Sequence, residues 1–166
     1  MSDMHEHIYI VEDEPEVRES TAWLLESSGY TVFPMADASD FFDTLDRSHP
    51  GCAVLDIHVP GMDGLTLQAT LNERGIDLPI VFISAYGDVP AVKKALQAGA
   101  HDFIEKPYKP REILDAVESA LAADRQRLQE HTNASHYRDM LDRLTSRERE
   151  VAHHLVQGCS NAAIAD

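Results

Sequence analysis

Short apolar runs alternate with helical patterns through the first three quarters of this 166-residue chain. Ile8-Tyr9-Ile10-Val11 predicts a strand, after which Pro15 opens a helix with Val17, Thr21, Leu24 and Leu25 on one face, ending near Gly29. Tyr30-Thr31-Val32-Phe33 predicts a second strand, Asp37 to Leu45 a helix with Phe41 and Leu45 spaced i,i+4, and Cys52 to Leu55 a third strand. Leu65 to Leu71 returns to helical spacing. Pro79 to Ile83 is a fourth strand, nearly all apolar, as a parallel sheet covered by helices on both faces requires. An alanine-rich helix from Ala91 to Ala98 closes on Gly99, His101 to Ile104 forms a shorter fifth strand, and Arg111 to Ala123 a further helix. The expected fold of residues 1–124 is therefore α/β, a doubly wound five-stranded parallel sheet.

From Ala123 the pattern changes. Arg125 to Glu130 continues a polar helical tract, the softer His131-Thr132-Asn133-Ala134-Ser135 interrupts it, and Tyr137, Met140, Leu141 and Leu144 resume an apolar stripe. Residues 125–144 read as a helical linker whose stripe packs on a partner linker or on its own chain; the spacing is too irregular for a coiled coil. Thr145, with Glu148 three residues on, starts a new unit with the capping-box pattern. Val151, Leu155 and Val156 precede Gly158, and Ser160 caps a short helix from Asn161 to Ala165. Two short helices joined by a Gly-containing turn cannot bury a core of their own. Residues 145–166 are expected to be the start of a larger all-α unit, with Val151, Leu155 and Ile164 left uncovered.

Charge sharpens this division. The net charge of -15 lies wholly in residues 1–124, which carry 8 Lys+Arg against 23 Asp+Glu, while residues 125–166 carry 6 of each. The first segment is repelled by nucleic acid and by anionic membranes; the second is not. Cys52 and Cys159 lie far apart, which argues against a structural disulfide and for a reducing cytoplasm. The acidic Met1 to Glu6 has no signal core, and no run reaches the roughly 18 apolar residues of a membrane span.

In a parallel sheet the carboxyl ends of the strands share one edge. That edge gathers Glu12 and Asp13 after the first strand, Asp56 after the third, Ser84 after the fourth and Lys106 after the fifth. Three converging carboxylates need a cation, and an all-oxygen donor set selects Mg²⁺ over zinc. No Cys or His stands at metal-ligand spacing; the nine His are scattered, and His153-His154 reads as a helix pair. Asp56 has three open roles: phosphate acceptor, metal ligand or helix cap. Ser84 donating to a phosphoryl oxygen, Lys106 neutralising it and Mg²⁺ bridging it to the carboxylates would complete a phosphoacceptor site. The bland alternative makes Asp56 a cap for the helix near Asp63, Glu12-Asp13 an acidic turn and Lys106 a surface charge. Convergence of all five at strand ends weighs against it.

At these landmarks residues 1–124 resemble the receiver domain of bacterial response regulators, a CheY/flavodoxin-like fold. Glu12-Asp13 matches the family's acidic pair, Asp56 its phosphorylated Asp, Pro60-Gly61-Met62-Asp63-Gly64 its loop and Ser84-Ala85 its switch position. Phe103 matches the aromatic switch residue and Lys106-Pro107 the Lys-Pro pair, usually joined by a cis bond. The resemblance implies that Asp13, Asp56 and the backbone carbonyl of His58 hold Mg²⁺ (Mn²⁺ serving as well), with Glu12 acting through water. It implies that N–H groups of Ile57 and Ala85 help Ser84 and Lys106 hold the phosphoryl oxygens and that a sensor histidine kinase is the donor; from the Ser84–Phe103 switch, homodimerisation on phosphorylation through the face of the fourth helix, fifth strand and fifth helix is expected.

Leu144-Thr145-Ser146-Arg147-Glu148-Arg149-Glu150-Val151 and Gly158-Cys159-Ser160-Asn161-Ala162-Ala163-Ile164-Ala165 resemble the start of the LuxR-type helix-turn-helix domain. Receiver plus this unit defines the NarL/FixJ class, and the linker leans toward its FixJ-like branch. The implied function is a cytoplasmic two-component transcription regulator, not an enzyme, with DNA as partner of the full-length protein. The recognition helix would follow Asp166, so this chain itself is not expected to bind DNA specifically. The competing reading is a phosphorelay or protein-interaction receiver without DNA output.

Overall fold

The computed structural model describes residues 5–85 and 88–156. The chain divides into two compact units, Met1–Gln126 and Arg127–Asp166. In the first, β1 (His7–Val11), β2 (Thr31–Met35), β3 (Gly51–Asp56), β4 (Ile80–Ser84) and β5 (Asp102–Glu105) pair in parallel in the order β2-β1-β3-β4-β5. The connecting helices are α1 (Pro15–Ser27), α2 (Phe41–Thr44), α3 (Gly64–Glu73) and α4 (Val89–Gln97), followed by α5 (Pro110–Arg143) and α6 (Ser146–Val156).

Side chains alternate across each strand, and both faces are buried. Ile8, Ile10, Cys52, Val54, Val81 and Ile83 meet Leu25 of α1 and Ile113, Val117 and Leu121 of α5. Tyr9, Val11, Ala53, Leu55 and Phe82 meet Phe41 of α2, Leu67 and Leu71 of α3 and Ala95 of α4. That two-sided burial explains why the strands read as continuous apolar runs instead of alternating ones. Gly29 and Gly99, at φ +96° and +97°, take the left-handed turn just past α1 and α4, where a side chain would be strained.

Element types match the sequence expectations; several bounds do not. β2 runs on through Pro34, which it tolerates because β2 is an edge strand and spends few ladder donors. The helix expected from Asp37 begins at Phe41, because the Asp37 carboxylate accepts the Ser39 N–H at 2.8 Å and turns the chain first. The interruption expected at 131–135 does not occur. That stretch has no Gly or Pro, costs at most about 0.7 kcal/mol per residue, and Thr132 donates its hydroxyl back to Leu128 O at 2.9 Å, so α5 continues through it.

In the second unit the capping box is present. Glu148 N–H donates to Thr145 Oγ1 at 3.3 Å, and the Glu148 carboxylate accepts the Thr145 N–H at 2.7 Å. Tyr137, Met140, Leu141 and Leu144 of the apolar stripe face Arg149, Ala152 and His153 of α6 across a groove of about 440 Å³. Leu155 is exposed and Val151 half-buried. The expected turn at Gly158, the Ser160 cap, the helix at 161–165 and Cys159 lie outside the described residues. Among the described residues no helix is long and apolar enough to cross a membrane.

Candidate functional site

Glu12, Asp13, Asp56, Ser84 and Lys106 stand at the carboxyl edge of the sheet, whereas Phe103 lies within β5, level with Phe82 of β4. Asp56 ends β3 and Ser84 ends β4, both buried; Glu12 follows β1 and is fully buried, while Asp13 beside it is exposed. Ligand atoms of Glu12, Asp13 and Asp56 all lie within 4.8 Å of one another. Lys106 crosses from the end of β5, its Nζ 2.8 Å from Asp56 Oδ2, 2.8 Å from Glu12 Oε2 and 3.4 Å from Glu14 Oε1. Its backbone N–H donates to Ser84 O at 2.7 Å, so the two strand ends that carry the cation and the hydroxyl are tied directly. The Lys106–Pro107 bond is cis.

Electrostatics follow from this crowding. Burial raises the Glu12 carboxyl above its ordinary pKa, with Lys106 and the Glu14 N–H offsetting part of the rise and Asp56 adding to it. Burial alone would lower the Lys106 ammonium; its hydrogen bond to Asp56 and its ion-pair contact with Glu12 overcome that and hold it well above the usual lysine value. Although Glu12 Oε2 is close to Lys106 Nζ, the approach lacks hydrogen-bond alignment, and this buried oxygen has no hydrogen-bond partner. An acceptor with unspent capacity beside two further carboxylates fits a hard, hydrated divalent cation such as Mg²⁺.

Sequence reading missed the residues that hold this edge in place. Arg18 donates to Glu12 O at 2.7 Å and Asp13 O at 3.2 Å, clamping the acidic turn to α1. Tyr108, after the cis bond, shares a 2.6 Å hydrogen bond with Thr21 of α1, and burial raises its phenol pKa. The His58 ring pairs with the Asp88 carboxylate, joining the loops after β3 and β4. None of these pairings leaves a local sequence signal. Backbone donors also differ in part from expectation. His58 N–H donates to Asp56 Oδ1 at 2.9 Å, whereas Ile57 N–H is engaged with Ile83 O at 3.1 Å in the β3–β4 pairing, and Ala85 is exposed beside Ser84. A phosphoryl oxygen reaching for Ile57 would compete with Ile83. Asp63, not Asp56, caps α3, accepting the Thr66 N–H at 2.7 Å, which removes the bland role for Asp56.

Gly64 marks how closely this loop is packed. A Cβ placed there would stand 2.4 Å from Asp56 O and 3.0 Å from the Phe82 ring. Because the obstructing atom is backbone, Gly64→Ala must displace the β3–α3 junction, and destabilisation of about 1–3 kcal/mol is expected in urea denaturation.

Phe103 of β5 is 38 % exposed. With Ser84, Ala85, Val92 and Leu96 it lines an apolar groove of about 730 Å³ between α4 and β5.

Comparison with known proteins accounts for this geometry. Residues 8–118 match the response regulator receiver domain family. The chain belongs to that family. It is 40 % identical over 158 residues to the transcriptional regulatory protein TdiR of Thauera aromatica, covering 95 % of this chain and 70 % of that protein. It is 37 % identical over 161 residues to the transcriptional regulatory protein FixJ of Azorhizobium caulinodans, covering 95 % and 75 %. The structure of the response regulator StyR superposes with a TM-score of 0.84 at 35 % identity, covering 97 % of this chain and 81 % of that one. Within the family the chain is a two-component response regulator of the NarL/FixJ class. That is a regulatory family and not one of substrate-turning enzymes, as the sequence implied.

The scattered histidines gave no ligand spacing, yet the fold assembles His7, Asp46 and His49 into a second group with ligand atoms mutually within 4.8 Å. β1 and the loop before β3 bring them together at the amino edge of the sheet.

Proposed function

We propose that Asp56 accepts a phosphoryl group from the phosphohistidine of a sensor histidine kinase. The observation that carries this is the Lys106 ammonium, 2.8 Å from both Asp56 and the buried Glu12. An Asp56 carboxylate oxygen attacks phosphorus, the P–N bond of the donor breaks, and the imidazole leaves with its electron pair. Lys106 neutralises charge on the transferred group, and the Ser84 hydroxyl, which donates to Ala85 O at 3.2 Å, rotates to donate to a phosphoryl oxygen. Asp13, Asp56 and the His58 carbonyl would hold Mg²⁺, with Glu12 acting through water. When bound, the cation supplies charge neutralisation between the carboxylates and the phosphoryl oxygens.

Incubation with a small acyl phosphate and Mg²⁺ is expected to add one phosphoryl group by intact mass, and chelation to prevent it. Labelling at an unchanged rate under chelation would overturn the metal-assisted reading.

Output is read through the α4–β5 groove. Ser84 moving toward the phosphoryl group frees room for Phe103 to turn inward, and the reshaped face, where Val89 and Leu96 are also exposed, pairs with a second copy. Sedimentation is expected to show monomer converting to dimer on phosphorylation; an unchanged monomer would refute the coupling. Regulation of transcription through DNA binding is the output we assign, over a phosphorelay role. It is supported by transcriptional relatives aligned over at least 95 % of the chain and by the capped α6.

A further inference from the structure

We propose that His7, Asp46 and His49 form a second metal site, for a first-row transition ion such as Zn²⁺, at the edge of the sheet opposite Asp56. Two imidazoles and a carboxylate are the donor set of borderline ions, not of Mg²⁺, so the two sites select different metals. The group is held by the fold. His7 is buried in β1, while the Asp46 and His49 side chains are 48 % and 40 % exposed, so an ion reaches them from solvent. The His7 and His49 rings stack with centroids 4.3 Å apart, and His49 Nδ1 lies 3.1 Å from Asp46 Oδ2 and 3.0 Å from Ser48 Oγ; binding one ion requires the half-exposed His49 ring to turn out of the stack so that the two imidazole lone pairs converge.

The fully buried Tyr9 fixes the loop beneath. Its hydroxyl donates to Asp46 O at 3.2 Å, accepts the Asp46 N–H at 3.0 Å, and lies 3.3 Å from His7 Nδ1. Asp46 Oδ1 is engaged by the Ser48 N–H and hydroxyl, at 2.9 and 2.6 Å, which leaves Oδ2 turned toward the His49 ring. The bland account of the same contacts is a stacked pair of rings closing the sheet edge, and only metal binding distinguishes the two.

The test is titration of the tag-free chain with Co²⁺ and Zn²⁺ in saturating Mg²⁺, following Co²⁺ visible absorption and heat. One equivalent is expected to give the intense bands of low-coordinate, imidazole-ligated Co²⁺ and to be displaced by Zn²⁺. His49→Ala, at an exposed loop position, is expected to weaken that binding about tenfold or more with unchanged circular dichroism. Asp46→Asn is expected to weaken it as well, and Asp56→Asn to leave it intact. A Zn²⁺-dependent rise in Tm should vanish in His49→Ala. Absence of saturable Co²⁺ binding, or equal binding by wild type and His49→Ala, would overturn the site.

Discussion

Asp56→Asn is expected to abolish phosphoryl incorporation while leaving the chain folded. Asparagine keeps the shape of the side chain, but Lys106 Nζ and the His58 N–H donate to different oxygens of Asp56, so its single carbonyl oxygen keeps one of the two bonds and its amide nitrogen faces the other donor. It has no anionic oxygen to attack phosphorus. Neighbouring carboxylates cannot replace it: Glu12 is fully buried, and among the described contacts Asp13 makes none with Lys106. Effects on stability oppose one another. The substitution relieves repulsion among three clustered carboxylates but weakens one of the partners that raise the Lys106 pKa. Intact mass after incubation with an acyl phosphate, with thermal denaturation alongside, separates lost chemistry from lost fold. Equal labelling of the variant would disprove the assignment of Asp56.

The largest effect on stability is expected far from that site, in Asp124→Ala. Asp124 is fully buried where α5 passes the amino edge of the sheet. Its carboxylate takes a two-pronged bond from Arg47, at 3.1 and 2.9 Å, and the backbone N–H of Gly51 at 2.8 Å. Truncation leaves the Gly51 N–H buried without its acceptor and takes both Asp124 bonds from the Arg47 guanidinium, which keeps its bond to Asp77 O. The Arg47 side chain is 23 % exposed, so water recovers part of that loss. The expected destabilisation is about 2–4 kcal/mol, below the full cost of breaking a buried ion pair. Urea denaturation measures it, and a change within about 0.5 kcal/mol of zero would show that the pair is replaceable. Asp124→Asn, which keeps an acceptor for Gly51, should cost less.

Legibility in the sequence followed distance along the chain. Apolar runs announced the strands because both sheet faces are covered, and the Thr145–Glu148 capping box was readable because its partners are three residues apart. Helix bounds were read less well wherever one local contact decided them. A single Asp37–Ser39 hydrogen bond delayed α2, and a single Thr132–Leu128 bond helped carry α5 through a tract that looked like a break. Nothing beside Asp124 in the chain reveals its partners Arg47 and Gly51.

By itself, the order of residues determined the five-stranded parallel sheet and delivered Glu12, Asp13, Asp56, Ser84 and Lys106 to one edge of it. A strand's direction and its last residue are local properties, and parallel strands must end together. The tertiary structure alone decided that Lys106 reaches both Asp56 and Glu12, that Asp63 caps α3, and that His58 meets Asp88. It alone placed His7 against His49 and Asp46 at the opposite edge. Apart from the Asp63 cap, whose partner is three residues on, these are pairings between side chains carried on different elements, set by how the backbone brings those elements together, and no spacing along the chain encodes them.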